Sequence, residues 1–302
     1  AGLAYAATVD APLVINGTLS ITGGTGSTTT TIGTAIGSTA SSATIFTNGT
    51  ATATAGSITV DIAGILGVVP VNGNYTLLGG PTGSTLSALA SYSLGKVYNP
   101  SNFTIGSLEA SATALSVAVT AQVPLDSIYY TGGLANGNGE WAMSNGSTAS
   151  NWAADAAGLA TSLTPGASSN VQFTNPGAAL PNAMTLGRDM TINSIAVKGS
   201  STVNLSLLPA GENTLTIGSP GSLNSGITVD AGAGSVTLSP TTIKLGTQQS
   251  WSNNSTQALT IGAAVDTAGF LLTAGGSGTT TLSGVVSGSG GLTNGGSGVL
   301  SL

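Results

Sequence analysis

Between Ile195 and Leu302 the sequence carries short strand-like pairs of the form i, i+2 at nearly constant distance: Ile195/Val197, Leu215/Ile217, Val236/Leu238, Leu259/Ile261, Thr280/Leu282 and Leu300/Leu302. Their first members lie 20, 21, 23, 21 and 20 residues apart. Successive side chains of a strand point to opposite faces, so an apolar residue at every second position marks a strand with one buried side. The last step is nearly literal, with Gly275-Gly276-Ser277-Gly278 returning as Gly295-Gly296-Ser297-Gly298 ahead of strands ending in Leu282 and Leu302. A period of this length belongs to solenoid architecture, where each repeat covers the apolar side of its neighbour.

The composition fits such stacking. Only 5 % of the 302 residues are charged and 4 % aromatic, while Gly, Ala, Ser and Thr dominate. A compact globular domain carries about a quarter charged residues and a core of large apolar side chains. A stack of rungs needs only a few apolar side chains per rung, and β-branched residues suit its strands. The expected fold is all-β, a right-handed parallel β-helix (β-solenoid) with about 20–23 residues per coil, right-handedness following from chain chirality. Secondary strands between the main pairs, at Val203/Leu205/Leu207, Ile227/Val229, Ile243/Leu245 and Phe270/Leu272, give two or three strands per coil.

Charge and missing residue types exclude several functions. The net charge of −6 comes from ten acids against Lys96, Arg188, Lys198 and Lys244, which are scattered singly. Nucleic-acid binding needs clustered cations, so no nucleic-acid partner is expected. Cysteine and histidine are both absent, which removes disulfides, thiolate sites and the usual zinc and copper centres. No metal or cofactor is expected. The most apolar run, Ile62 to Val71, is interrupted by Gly64, Gly67 and Pro70 and is shorter than the roughly 20 residues of a membrane helix, so no membrane span is expected. The chain begins at Ala1 without Met or a basic segment, as a mature or excised segment would, and stops in mid-pattern at Leu302, which predicts a longer natural protein.

Along the chain, short apolar stretches at Leu13–Ile15, Leu19–Ile21, Ala43–Phe46 and Ile58, Val60, Ile62 alternate with Asn-Gly turns at Asn16, Asn48 and Asn72. The Gly, Thr, Ser and Ala segment from Gly23 to Ser42 reads as a long loop or weakly apolar rungs, with an exposed, glycosylated Thr face as the functional alternative. Asn74–Leu78 reads as a strand. Leu86, Leu89, Tyr92 and Leu94 fit either a helical turn or irregular strands, and Leu115, Val117 and Val119 mark a further strand. Helix content should be small. A composition break around Ala121–Gly133 divides the chain into a β-rich solenoid module at 1–125 and a second β-helix module at 126–302.

The second module opens with Trp141 and Trp152, near Glu140, Asn145 and Asp155. One reading is a carbohydrate platform, with the indole faces of Trp141 and Trp152 stacking on sugar rings and Asn145 and Asp155 accepting hydroxyl hydrogen bonds. The other is a cap, in which the indoles cover the open end of the coil. The cap is favoured, because tryptophan in a chain so poor in large side chains is most useful where much surface must be covered.

The residues Leu282-Ser283-Gly284-Val285-Val286-Ser287-Gly288-Ser289-Gly290-Gly291-Leu292-Thr293-Asn294-Gly295-Gly296-Ser297-Gly298-Val299-Leu300-Ser301-Leu302 resemble the passenger-associated repeat of autotransporters, also called the autotransporter-associated β-strand repeat. That repeat reads as a serine-glycine-glycine-leucine strand, a lysine-containing turn and a glycine-bounded threonine-leucine strand; here Asn294 stands at the usual lysine. The resemblance is looser back to about Tyr129, and residues 1–125, with Asn74-Tyr75-Thr76-Leu77-Leu78 and the strand at Leu115–Val119, look similar to the closing part of a preceding module. It implies a right-handed β-helix displayed outside a bacterial cell. It implies no enzyme activity, since the repeat is shared by adhesins, protease-bearing passengers and matrix proteins.

No catalytic constellation emerges from the residues. A Ser/His/Asp triad is impossible without histidine, and neither GxSxG nor a P-loop occurs. The acids Asp10, Asp61 and Asp230 are considered for a carboxylate pair across rungs, but the acids are widely spaced. Arg188 beside Asp189 reads as a surface pair. Asn-x-Ser/Thr sequences at Asn16, Asn48, Asn74, Asn102, Asn145, Asn204, Asn253 and Asn254 are expected by chance in so Ser- and Thr-rich a chain. The resulting expectation is a non-enzymatic, extracellular or cell-surface structural or adhesive protein that assembles with itself into filaments or a layer. The alternative is a cell-surface carbohydrate-binding or polysaccharide-degrading β-helix, with surface glycans as partner.

Overall fold

The computed structural model describes residues 2–4, 11–26, 28–40, 43–88, 90–134, 139–174, 184–199, 203–206, 212–222 and 224–302, with the backbone alone over 2–4 and 203–206. Every regular element among the described residues is a β-strand, and most strand pairs are parallel. The chain divides into two compact units, Ala1–Val123 with Ser144–Ser147, and Pro124–Met143 with Thr148–Leu302.

In the first unit, strands Gly2–Ala4, Thr30–Ile36, Gly56–Gly64 and Ala90–Tyr98 lie side by side in parallel. A second sheet runs Phe103–Ala110, Ala114–Ala121, Gly73–Gly79, Ile45–Thr47, Leu13–Ile15, and a third pairs Leu19–Thr22 with Ala51–Thr54. Between them lies a core that includes Ile32, Ile45, Ile58, Val60, Leu77, Leu78, Val97 and Val117. The Thr-rich segment is more than a loop. Its strand Thr30–Ile36 pairs along its whole length with Gly56–Gly64, from Thr30↔Ile58 to Ile36↔Gly64, and buries Ile32, Ala35 and Ile36. Threonine is itself a good strand former, so the monotonous composition hid a core strand.

The uncertain stretch after Leu86 is also a strand, Ala90–Tyr98, and Leu89 lies outside the described residues. The expected strands at Asn74–Leu78 and Leu115–Val119 form, but they pair antiparallel with each other, from Ala114↔Gly79 to Val119↔Gly73. Ala114–Ala121 also pairs antiparallel with Phe103–Ala110. The first unit is therefore mixed, where a parallel arrangement was expected. The short turn over 111–113 explains the second of these pairs, since antiparallel neighbours need only a tight turn and parallel neighbours need a crossover.

The second unit holds three sheets. Sheet I contains Trp152–Ala153, Ser127–Tyr130, Asn170–Phe173, Ser194–Val197, Gly226–Val229, Gln249–Asn253, Leu272–Gly276 and Leu292–Asn294 in spatial order. Sheet II contains Met190–Ile192, Thr214–Ile217, Thr242–Leu245, Ala264–Asp266 and Val286–Ser287, and sheet III contains Val203–Ser206, Val236–Ser239, Leu259–Ile261, Thr280–Leu282 and Leu300–Ser301. From Ser194 onward the chain visits sheets I, III and II in fixed rotation, so every third strand pairs in parallel. Like residues stack on like: Val171, Ile195, Ile227, Trp251 and Ala274 occupy successive places in one column of sheet I, all buried.

This register corrects the expected ladder. Val236↔Leu259, Leu259↔Thr280 and Thr280↔Leu300 are true neighbours in sheet III, at the expected spacing. Ile195, however, pairs with Ile227, 32 residues on, and Leu215 pairs with Ile243, 28 residues on. With three similar strands in each rotation, a twenty-residue gap is one rotation near the C-terminus and only part of one before Val236. The pair Phe270/Leu272 is likewise displaced: Phe270 is exposed, and the buried pair is Leu272/Ala274. Leu207 lies outside the described residues.

Candidate functional site

The two tryptophans that open the second unit lie in its core. Trp152 sits on the antiparallel terminal strand of sheet I, where Tyr130↔Trp152 are cross-strand partners. Trp141 is tied in by its amide, which donates to the Thr185 carbonyl at 2.8 Å. The rings of Trp141 and Trp152 meet edge to face with centroids 5.4 Å apart, Tyr130 meets Trp152 in the same way at 5.1 Å, and Phe173 packs 5.5 Å from both Trp141 and Tyr130. The indole N–H of Trp152 donates to the Trp141 carbonyl at 2.8 Å. Trp141 and Trp152 are 0 % and 1 % exposed.

That burial corrects the carbohydrate reading of these residues, since neither indole offers a face to a sugar ring. Asp155 is exposed, but its Oδ1 accepts the amides of Ala157 and Leu159, each at 3.0 Å, and so closes its own turn. Asn145 belongs to the first unit, where its Oδ1 accepts the Ser147 amide at 3.1 Å. Two groups in the aromatic cluster, the Tyr130 hydroxyl and the Trp141 Nε1, are buried without a partner among the described residues. Burial raises the Tyr130 phenol well above its ordinary range.

The carboxylates do local structural work. Asp61 Oδ1 accepts the Lys96 amide at 2.7 Å, Asp189 Oδ1 accepts the Thr214 amide at 2.7 Å, and Asp266 Oδ1 accepts the Ala268 amide at 2.8 Å. Asp61 and Asp230 fall in different units, and Asp10 lies outside the described residues. Among the described residues no three His, Cys, Asp or Glu side chains gather as a metal would require, and no helix is long and apolar enough to cross a membrane.

Sequence reasoning noted the Gly-Gly-Ser-Gly turns but missed what they rest on. Asn253, 0 % exposed, ends a sheet I strand and donates through Nδ2 to the carbonyls of Gln257 at 2.9 Å and Thr279 at 2.7 Å, while its Oδ1 accepts the Ser255 amide at 3.0 Å. The Gly278 amide donates to the Asn253 carbonyl at 2.7 Å, and the Gly298 amide to the Gly276 carbonyl at 3.0 Å. Corners are thus stacked backbone on backbone. A side chain on Gly276, whose φ is +86°, would run into the Asn253 carbonyl. Asn294 repeats the local pattern, its Oδ1 accepting the Gly296 amide at 3.3 Å and its Nδ2 donating to the Gly298 carbonyl at 3.2 Å. Burial also removes Asn253 as a glycan acceptor, and the side chain of Asn204 lies outside the described residues.

The strands Val286–Ser287, Leu292–Asn294 and Leu300–Ser301 stand last in sheets II, I and III. Val286 and Leu292 continue the columns of the buried residues Val265 and Leu272, and Leu300 continues that of Thr280, yet all three are only half-buried. Beside them Val285 and Val299 are exposed.

No protein-family model, curated protein or solved structure matches the chain.

Proposed function

We propose that the chain is a non-enzymatic structural or adhesive protein of a bacterial surface, in which the second unit is a right-handed parallel β-solenoid with three strands per coil, and that it associates with copies of itself through its terminal rungs. The observation that carries this reading is the in-register parallel continuation of three sheets as far as Val286–Ser287, Leu292–Asn294 and Leu300–Ser301, a stacking that a strand of another copy can extend in the same register. An unprotected edge is a template for another strand, and sparse charge supplies little repulsion against pairing. A head-to-tail contact that does not close on itself gives a filament. The aromatic cluster of Tyr130, Trp141, Trp152 and Phe173 fits the role of a cap at the start of the coil. The resemblance of residues 282–302 to the autotransporter-associated repeat supports placement outside the cell.

Magnitudes set the expected strength. Completing the burial of the half-buried Val286, Leu292 and Leu300 contributes roughly half of the about 1.5–3 kcal/mol that full burial of each would give, and a row of backbone hydrogen bonds about 0.5–1.5 kcal/mol per bond. Association costs about 4–15 kcal/mol in lost freedom. The terms nearly balance, so assembly should depend on concentration. Negative-stain electron microscopy over a concentration series, with solution scattering on the same samples, should show filaments growing with concentration and suppressed by the double variant Leu292→Lys/Leu300→Lys. Isolated particles at every concentration would sink the reading.

A further inference from the structure

At the corner where sheet II passes to sheet I, successive turns of the second unit form an open groove of about 380 Å³, within the size range of small-molecule sites. It is lined by Ser222, Asn224, Ser225, Gln248, Gln249, Ser250, Leu271 and Thr273. No lining residue is charged.

Its floor is rigid. Gln249 is buried and donates to the Ile217 carbonyl at 2.8 Å, while its Oε1 accepts the indole N–H of the buried Trp251 at 2.9 Å. Ser225 donates to Asn193 Oδ1 at 2.8 Å, and Ser222 shares a hydrogen bond with Ser219 at 2.7 Å. The rim differs. The side chains of Asn224, Gln248, Ser250 and Thr273 have no hydrogen-bond partner among the described residues, and Asn224, Gln248 and Ser250 are exposed. Ser250 and Thr273 are register neighbours on adjacent strands. Asn224 is held at φ +58°, a left-handed conformation uncommon outside glycine and asparagine, which sets the direction of its Cα–Cβ bond. Leu271 is 43 % exposed among these polar groups.

Amides and hydroxyls that both donate and accept, around one apolar patch and without charge, match the surface of a neutral sugar, whose hydroxyls do the same around an apolar C–H face. The net charge of −6 disfavours acidic polymers. We propose that this corner groove binds a neutral glycan chain, with Asn224 and Gln248 holding its hydroxyls and Leu271 packing against the ring. The site is separate from Trp141 and Trp152 and from the last strands of the three sheets, so it stands or falls independently of self-assembly.

The test is affinity electrophoresis of the 302-residue chain in gels containing laminarin, xyloglucan or dextran, with alginate as the anionic comparison. At least one neutral glucan should retard the protein, and Asn224→Ala/Gln248→Ala should weaken that retardation at least tenfold. Leu271→Ala should weaken it too, with the thermal unfolding midpoint of all variants unchanged. Three results would each overturn the proposal: no retardation by any neutral glucan, equal retardation by alginate, or binding that survives the double substitution. Should the Leu271 variant unfold early, the amide variant alone decides.

Discussion

The indole N–H of Trp152 points at the backbone carbonyl of Trp141, 2.8 Å away, while the two rings meet edge to face with their centroids 5.4 Å apart. One residue thus fixes both the ring and the backbone of the other. Truncating a buried tryptophan costs about 3–5 kcal/mol, so Trp152→Ala should shift the urea midpoint of the second unit by a correspondingly large amount. Trp152→Phe keeps most of the ring contact but leaves the Trp141 carbonyl unpaired, a loss of about 1–3 kcal/mol. Far-ultraviolet circular dichroism reports the transition without relying on tryptophan emission. An unchanged midpoint for Trp152→Ala would remove the cluster from the core's energetics.

Glycines of similar backbone conformation should differ in tolerance according to what lies above them. Gly232, at φ +82°, has open space within 4 Å of where a methyl group would project, whereas Gly276, at φ +86°, faces the Asn253 carbonyl of the neighbouring corner. Gly232→Ala should cost only the left-handed backbone penalty, about 1–2 kcal/mol. Gly276→Ala should add an overpacking cost of about 1–3 kcal/mol. Chemical denaturation of both variants side by side checks the ranking, and equal losses would mean that the corners separate easily.

The strands were legible wherever an apolar residue alternated with a small polar one, as at Ile227/Val229 or Ile243/Leu245, because burial on one side enforces that alternation. Their partners were less legible. Ile195, Leu215 and Val236 look alike, and nothing in their own chemistry says that they belong to three different sheets. Only the corner lengths decide, and those depend on stacking between distant turns. The same limit applied to Trp141 and Trp152, whose aromatic faces suit either a sugar or a buried cap, the cap being favoured from composition alone, until Tyr130 and Phe173 are placed against them. The groove at Asn224 and Gln248 had no linear signal at all, because its residues come from three successive turns.

Alkaline titration should separate buried from open tyrosines. Burial raises Tyr92 to about 12, and its hydroxyl donates to the Leu86 carbonyl at 2.8 Å. An unfolded tyrosine ionises near about pH 10, so the folded chain holds this proton more tightly than the unfolded one. The stabilising contribution is complete below about pH 10 and is lost as pH rises towards about 12. Phenolate absorbance should therefore lag behind that of the denatured chain, and the unfolding midpoint should fall over the same interval. Tyr92→Phe should flatten that fall; an unaltered slope would mean that Tyr92 titrates as an open phenol.

Asn253 supplies the converse pH dependence when its amide becomes a carboxyl. Its Nδ2 donates to the carbonyls of Gln257 and Thr279, so in Asn253→Asp an oxygen would face two acceptors in a fully buried corner. Ionised, it repels both carbonyls; protonated, its O–H can still donate to one of them. The folded state therefore binds the proton more tightly than an unfolded aspartate, whose pKa is about 3.9. With the folded pKa raised, stability increases as pH falls through that value and levels off below the unfolded pKa. At neutral pH an uncompensated buried charge costs about 3–5 kcal/mol, and acidification should recover part of it. Thermal unfolding of Asn253→Asp and the parent chain between about pH 3.5 and 7.5, at roughly half-unit steps around the carboxyl range, should show the two curves converging towards acid. Parallel curves would place residue 253 in contact with solvent.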